Sequence, residues 1–189
     1  MSKSIFVVIS SPSGGGKDTI IAKLMNIFSG SVKLLTTTTR DKRPGDVSGI
    51  NYNFISKESF EKKIKNNELV EYNNFNGNYY GIEKEILAKT LANNRLVFTN
   101  IDVNGRANLK KSGVDHLSIF LLPDSIDVLE NRIRERGGVE ESELKKRLKI
   151  AKKEIKMANK YDYKVVNKEG YLDMAVKEIE KIINKVDKK

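Results

Sequence analysis

The sequence has no cysteine and a single histidine, His116. These absences exclude disulfide bonds, thiolate metal sites, cysteine nucleophiles and zinc sites that need several histidines. No stretch approaches the roughly 18 consecutive apolar residues that a membrane span requires. The start of the chain, Met1 to Ser4, leads into a short strand-like run, unlike the long apolar segment of a signal peptide. We therefore expect a cytoplasmic protein without membrane contacts, whose chemistry depends on charged, tyrosine and hydroxyl side chains.

Positive charge exceeds negative charge, because 35 Lys and Arg residues stand against 25 Asp and Glu residues and give a formal net charge of +10. Such a chain suits an anionic partner, which could be a nucleotide, a nucleic acid or a membrane surface. Many lysines lie beside glutamate in "KKRLKIAKKEIK" (145–156), where a solvated helix surface is the simpler interpretation. The basic residues are not interleaved with aromatic residues as in proteins that bind single-stranded RNA. We expect no specific nucleic-acid partner, although the net charge keeps a nucleic-acid-binding protein among the alternatives.

Apolar, β-branched runs typical of strands in a parallel sheet occur at 4–10, 95–102, 117–123 and 163–167. The first run is followed by apolar residues at helical spacing over 18–28. A terminal helix is predicted from the apolar residues Leu172, Ala175, Val176, Ile179, Ile182, Ile183 and Val186. Strands that alternate with helices indicate a doubly wound α/β fold, with helices on both faces of a parallel sheet.

Residues 36–94 differ in character from the rest of the chain. Their short segments are polar and aromatic, with turn residues at 76–77, and predict a small mixed or antiparallel lobe. We expect this lobe to be inserted into a core formed by residues 1–35 and 95–189, and to carry substrate specificity.

A second distinctive segment lies inside the core, from about residue 125 to 155. It has the pattern of two helices on either side of "RGGVEES" (136–142), and Gly137 and Gly138 are typical of a hinge. We predict a mobile helical lid there.

The segment "SSPSGGGKDTI" (10–20) lies between the first predicted strand and helix. Gly14, Gly15 and Gly16 permit a backbone that turns several N–H groups toward one anion, and the helix N-terminus adds positive potential. Lys17 would reach a transferring phosphate, and Thr19 supplies a nearby hydroxyl. The pattern departs from a Walker A loop at both ends, so a glycine-rich connector without function is the alternative.

A second candidate site lies in "TTTTRDKRPGD" (36–46), where Pro44 and Gly45 predict a turn. Arg40 and Arg43 lie around this turn and could converge on one phosphate by bidentate hydrogen bonds. The hydroxyls of Tyr52 and Tyr80 could donate to the same phosphate, and buried lobe aromatics are the alternative interpretation of these two residues.

Together these motifs resemble the guanylate kinase family, in family order from residue 5 to about residue 185. The segments that carry the resemblance are "SPSGGGK", "TTRDKRPGD", "GINYNFIS", "ELVEYNNFNGNYYG", "NIDVNG", "SIFLLP", "RIRERG" and "YDYKVVN". The resemblance implies a P-loop kinase core with a GMP-binding lobe and a lid. It also implies a Mg²⁺-dependent enzyme, a monomer or homodimer, that transfers the γ-phosphate of ATP to GMP in purine nucleotide metabolism.

The resemblance also implies a role for individual residues. Catalysis is assigned to Lys17, Arg40, Arg136 and Arg147. ATP binding is assigned to Ser13, Gly14, Gly15, Gly16, Lys17, Asp18, Thr19, Arg132, Arg136 and Asn167. GMP binding is assigned to Thr36, Arg40, Arg43, Tyr52, Glu71, Tyr80 and Asp102, with Glu71 and Asp102 accepting the guanine N1–H and exocyclic amine. An exposed helix surface for Arg147, and a turn or sheet-edge acid for Glu71 and Asp102, are the alternatives.

The sequence departs from the family pattern at Ser11, Asp18, Ile82 and Asn100. Asp18 stands where phosphate loops give Mg²⁺ a hydroxyl, and Asn100 stands where the family has an acid. We expect Asp18 to supply the charge that Asn100 lacks, directly or through water, with helix capping by Asp18 as the alternative. Ile82 replaces a hydroxyl residue and is expected to remove one hydrogen bond to the base. Two further functions stay open: a binding module of this fold without catalysis, and a related kinase for a phosphorylated sugar.

Overall fold

The computed structural model describes residues 4–75, 77–135 and 140–188. The strands are β1 (Ile5–Ser10), β2 (Val32–Lys33), β3 (Thr37–Thr38), β4 (Asn53–Phe54), β5 (Leu69–Phe75), β6 (Asn78–Glu83), β7 (Leu96–Asn100), β8 (Leu117–Pro123) and β9 (Tyr163–Asn167). The helices are α1 (Lys17–Ile27), α2 (Lys57–Lys65), α3 (Lys84–Asn93), α4 (Val103–Lys111), α5 (Ile126–Glu135), α6 (Glu141–Lys156) and α7 (Leu172–Asp187), with a 3-10 turn at Met157–Lys160.

Five strands form one sheet in the order β2-β7-β1-β8-β9, and the pairs β2–β7, β1–β8 and β8–β9 are parallel. The centre of β1 has no solvent exposure at Val7, Val8 or Ile9. Continuous burial of successive residues requires cover on both faces of the strand, which is why this segment is apolar without alternation. The predicted α/β fold with a parallel sheet is confirmed.

A second sheet has four strands in the order β4-β3-β6-β5. It is mixed, because β3–β6 and β5–β6 are antiparallel whereas β3–β4 is parallel. The sequence predicted short strands here but missed the helices α2 and α3, which flank β5 and β6 in the chain. Their apolar residues are few: Phe60 is the one buried residue of α2, and Leu87 that of α3.

The chain divides into two compact units. Unit 1 consists of Met1–Phe6, Gly30–Thr99 and Asn104–His116, and unit 2 consists of Val7–Ser29, Asn100–Val103 and Leu117–Lys189. The candidate ATP residues fall in unit 2. The candidate GMP residues fall in unit 1, except for Asp102.

The predicted lid corresponds to α5 and α6 in unit 2. Leu129 and Ile133 of α5 pack with Leu144 and Ala151 of α6 in one buried apolar cluster. The predicted hinge glycines, Gly137 and Gly138, lie outside the described residues.

Across the described ranges, none of the helices combines the length and apolar character needed to cross a membrane.

The packing of unit 1 leads to a stability prediction for Phe60. Its side chain has no solvent exposure, stacks on the Tyr79 ring at a centroid distance of 5.1 Å and meets the Tyr72 ring edge-on at 6.4 Å. Phe60→Ala removes this ring and leaves a cavity, so we expect the free energy of unfolding to fall by about 3–5 kcal/mol. Ile50→Ala, at a residue that is 71% exposed, should change it by less than about 0.5 kcal/mol. Equal denaturation midpoints for the two variants would contradict this role.

Candidate functional site

The glycine loop joins the end of β1 at Ser10 to the start of α1 at Lys17. Gly14 and Gly16 adopt φ angles of +86° and +83°, in the left-handed region that side chains rarely enter. A hydrogen bond of 2.9 Å from Gly15 N–H to the Pro12 carbonyl closes the turn. The loop therefore runs directly into the N-terminus of α1, where main-chain N–H groups and the helix dipole favour an anion.

Ser11, the first departure from the Walker A pattern, fits the loop without backbone strain. Among the described residues Asn67 is the one non-glycine with positive φ, so Ser11 keeps an ordinary backbone. The Ser11 side chain is buried and its hydroxyl donates to the Pro12 carbonyl at 3.0 Å. It occupies the space beside Gly15, where a Cβ atom would lie 2.5 Å from the Ser11 Cβ.

Asn167, the last residue of β9, contacts the glycine loop although the two are far apart in the sequence. It is 3% exposed, and its Nδ2 donates to the Gly15 carbonyl at 3.0 Å. A Cβ atom at Gly16 would lie 2.7 Å from the same nitrogen. Asn167 therefore contacts the glycine loop itself, a role that the sequence did not predict.

Asp18 and Asn100, the two departures that the sequence suggested were linked, are in direct contact. The Asn100 Nδ2 donates to the Asp18 Oδ1 at 2.6 Å, although 82 positions separate the two residues in the chain. Gly16, not Asp18, is the N-cap residue of α1, and no side chain makes the capping hydrogen bond there. The contact places a carboxylate and an amide at the first turn of the helix that follows the loop.

Glu154 is a functional candidate that the sequence analysis missed. This carboxyl group of α6 is 9% exposed. Burial, and after it the negative charge of Asp102, raise its pKa to about 7, against the opposing positive charge of Lys17. A sequence signal existed, because Glu154 follows the apolar positions Leu144 and Ala151 at helical spacing and so lies on the buried side of α6.

The candidate lid arginines of the described region are held by acids. Arg132 donates from Nε to Glu169 Oε2 at 2.7 Å. Arg147 donates from Nε to Glu143 Oε1 at 3.0 Å, one turn earlier in the same helix, and is half-buried. Arg136 lies outside the described residues. The Arg147 pair matches the helix-surface interpretation as well as a catalytic one, and its role stays a prediction.

In unit 1, Arg40 is fixed by an acid that the sequence analysis did not single out. Its Nη2 donates to the Asp46 Oδ2 at 2.8 Å and its Nη1 to the main-chain carbonyl of Asp41 at 2.6 Å. The same Asp46 oxygen accepts the main-chain N–H of Arg43 at 2.8 Å. The Arg43 N–H and then the Arg40 guanidinium hold the pKa of Asp46 below its ordinary value. Asp46 thus closes the Pro-Gly turn and orients Arg40, whereas the side chain of Arg43 is exposed.

Aromatic rings line the faces of the Arg40 guanidinium. Its Cζ lies 5.5 Å from the ring centroids of both Tyr52 and Phe54, within the range of cation–π attraction. The Tyr52 and Tyr80 rings meet edge-on at 6.1 Å. The structure therefore brings together three of the predicted phosphate-binding side chains, namely those of Arg40, Tyr52 and Tyr80.

Two candidate base-binding residues of unit 1 are buried. Thr36 and Glu71 are each 5% exposed. Glu71 lies on β5 opposite Ile82 of β6, next to an irregularity in the strand pairing. Ile82 has no solvent exposure, so the residue that replaces a hydroxyl in the family pattern is part of the packed interior of unit 1.

Ionisation of Glu154 provides a pH-dependent test of this site. In the folded protein Glu154 keeps its proton until about pH 7, whereas its ordinary pKa is 4.5. Between these values the folded state binds more protons than the unfolded state, so stability falls as pH rises through that window. Glu154→Gln cannot ionise, and we expect it to be more stable than the parent at about pH 8, by up to roughly 3 kcal/mol, with no difference near pH 4.

Denaturant unfolding of both proteins across this pH range measures the effect. Glu178→Gln removes an exposed acid from α7 and serves as the control. A stability difference between parent and Glu154→Gln that does not vary with pH would show that Glu154 is ionised alike in the folded and unfolded states.

The comparisons with known proteins agree on one family. The family model described as guanylate kinase matches residues 3–186. Guanylate kinases of Clostridium tetani and Carboxydothermus hydrogenoformans are 42% and 37% identical to the chain, over 97% of its length and 87% and 89% of theirs. The crystal structure of guanylate kinase from Anaplasma phagocytophilum superposes with a TM-score of 0.79 at 28% identity, and covers 100% of this chain and 89% of that one. The chain therefore belongs to the guanylate kinase family.

Proposed function

We propose that this protein transfers the γ-phosphate of ATP to GMP and forms ADP and GDP. The observation that carries the proposal is the glycine loop, with Lys17 as the first residue of α1 and two left-handed glycines before it, in a chain of the guanylate kinase family. The reaction is that of an ATP:GMP phosphotransferase, a nucleoside monophosphate kinase.

Phosphoryl transfer to a phosphate oxygen needs alignment and charge neutralisation, and no covalent enzyme intermediate. The main-chain N–H groups from Ser13 to Thr19 would bind the phosphates of ATP, and the ammonium group of Lys17 would neutralise the transferring group. Arg132, Arg136 and Arg147 would approach the same phosphates when the lid closes. In the described structure Arg132 and Arg147 donate to Glu169 and Glu143, so phosphate binding has to compete with these two carboxylates.

The acceptor would be held by the basic and aromatic residues of unit 1. Arg40 has five N–H donors, of which the contacts to Asp46 and Asp41 use two. The remaining donors suit a phosphate, together with Arg43 and the hydroxyls of Tyr52 and Tyr80. Thr36, Glu71 and Asp102 would select the base, since a carboxylate accepts the N1–H and amine of guanine and adenine offers no such pair.

Mg²⁺ fits the residues at the start of α1. Nowhere in residues 4–75, 77–135 and 140–188 do three or more His, Cys, Asp or Glu side chains form a metal-binding group, so a cation would need phosphate oxygens among its ligands. The Asp18 carboxylate and the Asn100 amide, in contact at 2.6 Å, offer the hard oxygen atoms that Mg²⁺ prefers. When bound, Mg²⁺ neutralises the charge that develops on the phosphate oxygens.

A binding module that has lost catalysis is not favoured. The chain retains the residues that such a module does not need, namely Gly16, Lys17, Arg40, Arg43 and Arg132. Its relatives of 42% and 37% identity are both guanylate kinases.

Acceptor selection gives a first test of the function. We expect ADP release to be fastest with GMP and slow with AMP, because guanine presents an N1–H and an amine to the carboxylate of Glu71 and adenine offers no such pair. Glu71→Gln exchanges one acceptor oxygen for an amide donor and should lower kcat/KM for GMP about 10-fold to 100-fold, since an unsatisfied buried group costs about 1–3 kcal/mol.

A coupled assay with GMP, dGMP, AMP and no acceptor measures these rates. Glu85→Gln, at an exposed acid of α3, is the matched control and should behave as the parent. Equal turnover of AMP and GMP by the parent protein would rule out the assignment of Glu71 as a base-selecting residue.

The phosphate contacts of unit 1 give a second test. Arg40→Ala and Arg43→Ala should each lower kcat/KM for GMP by roughly 100-fold while the KM for ATP stays within about twofold, because each loses charge-assisted hydrogen bonds worth about 3 kcal/mol. Lys42→Ala removes one positive charge from the same turn and is the control. If all three variants have the same GMP kinetics, Arg40 and Arg43 do not bind the acceptor phosphate.

A further inference from the structure

We propose that Asp18 and Asn100 form a charge-exchanged magnesium site, in which the carboxylate stands on the helix and the neutral ligand on the strand. The inference rests on the proposed function for the identity of the nucleotide, and goes beyond it in assigning how this chain couples nucleotide and cation. The usual arrangement of phosphate-loop enzymes is the reverse, with a Ser or Thr hydroxyl after the loop lysine and an acid on a strand.

The positions of the two residues in the chain correspond to that arrangement. Asp18 directly follows Lys17 in the first turn of α1, and Asn100 is the last residue of β7. The distance of 2.6 Å between Asn100 Nδ2 and Asp18 Oδ1 shows that these two positions meet. The two departures from the family pattern are therefore neighbours in space, at the positions from which phosphate-loop enzymes hold the cation.

The contact also fixes which atom of the Asn100 amide faces Asp18. Because the Asn100 amide nitrogen donates to Asp18, the amide oxygen is the atom left to accept from a metal-bound water or to bind the metal. A carboxylate has two oxygens with about four acceptor sites, and the hydrogen bond from Asn100 uses one of them. Both side chains carry oxygen atoms of the type that Mg²⁺ prefers.

Helix capping does not account for the pair. The N-cap residue of α1 is Gly16, and that end of the helix has no side-chain capping bond. The helix dipole does favour a carboxylate in the first turn, but this attraction requires nothing at position 100. Binding of a shared cation accounts for both residues and for the contact between them.

The exchange moves a negative charge without changing its total. A hydroxyl with a carboxylate and a carboxylate with an amide each carry one negative charge, but here the charge stands next to the phosphate loop. It repels a nucleotide that arrives without a cation and attracts one that brings Mg²⁺. Nucleotide binding by this chain should consequently depend on Mg²⁺ more steeply than it would with a hydroxyl at position 18.

The experiment measures binding of ADP by calorimetry, once with EDTA and once with excess MgCl₂, so that no turnover is involved. We expect Mg²⁺ to tighten ADP binding to the parent by roughly 5-fold to 150-fold, the usual range for two coupled ligands. Asp18→Ser should lose most of this gain and bind metal-free ADP more tightly. The double variant Asp18→Ser/Asn100→Asp, which restores the usual arrangement, should regain it, so that the two substitutions are not additive.

Two further variants keep the test decisive. Asp18→Asn removes only the charge, and takes the place of Asp18→Ser if that variant does not fold. Asp127→Ser removes the corresponding acid from the first turn of α5 and should leave the Mg²⁺ gain unchanged. Thermal unfolding of each variant reports any loss of helix stability separately.

A Mg²⁺ gain that is the same in the parent and in Asp18→Ser would overturn the proposal, and so would additive effects in the double variant. A lower melting temperature of Asp18→Ser with an unchanged Mg²⁺ gain would assign Asp18 to the helix dipole alone. The proposed function fails separately, if the parent shows Mg²⁺-coupled ADP binding but no phosphorylation of GMP.

Discussion

The position of the glycine loop depends on one buried hydrogen bond, from the Asn167 amide to the Gly15 carbonyl at 3.0 Å. It ties the end of β9 to a loop 152 positions earlier in the chain, and the same nitrogen fills the space beside Gly16. Since Gly16 is the residue from which α1 starts, the direction in which Lys17 and Asp18 leave the loop follows from this contact. A buried hydrogen bond of this kind contributes only about 1 kcal/mol to stability. Its main effect is to hold the glycine loop in one place.

In the proposed function, the glycine loop of unit 2 and the arginine turn of unit 1 would each bind a phosphate, but by different means. The loop offers main-chain N–H groups, whose direction is set by the left-handed glycines Gly14 and Gly16. The turn offers a long arginine side chain, which needs external support to stay in one place. Asp46 and the flanking rings of Tyr52 and Phe54 supply that support to Arg40, and reduce the side-chain entropy that anion binding would otherwise have to overcome.

The sequence predicted the elements whose pattern is local. The strands at 117–123 and 163–167 were located to the residue, because they are short apolar runs between polar turns. The helices α2 and α3 were missed because each buries a single residue, Phe60 or Leu87, and their periodicity is too weak to detect. The glycine loop was predictable because consecutive glycines are typical of a backbone that must adopt left-handed φ angles.

The residues of the candidate site could be predicted where they belong to a sequence motif. Contacts that depend on a residue far away in the sequence were harder to predict. Arg40 follows from its motif, but its pairing with Asp46 depends on how the turn closes. The contact of Asn167 with the loop joins residues that no local pattern connects. Burial of Glu154 depends on what packs against α6. The helical spacing of the buried residues in α6 includes Glu154, but this was recognised only once the structure was known. The contact of Asp18 with Asn100 could be suspected from the sequence, because an acid stands at one position where the family pattern has none and an acid is missing at another.

The packing of Ser11 against Gly15 has a consequence for how such a loop can evolve. A Cβ atom at position 15 would lie 2.5 Å from the Ser11 Cβ and Oγ, which is closer than real Cβ contacts allow. While Ser11 is present, position 15 therefore requires glycine. Glycine at position 11 would remove these two atoms, but the Pro12 carbonyl oxygen would still lie 3.0 Å from the added Cβ. A side chain at position 15 consequently needs both a smaller residue 11 and a shift of the loop backbone, even though neither residue is charged or aromatic.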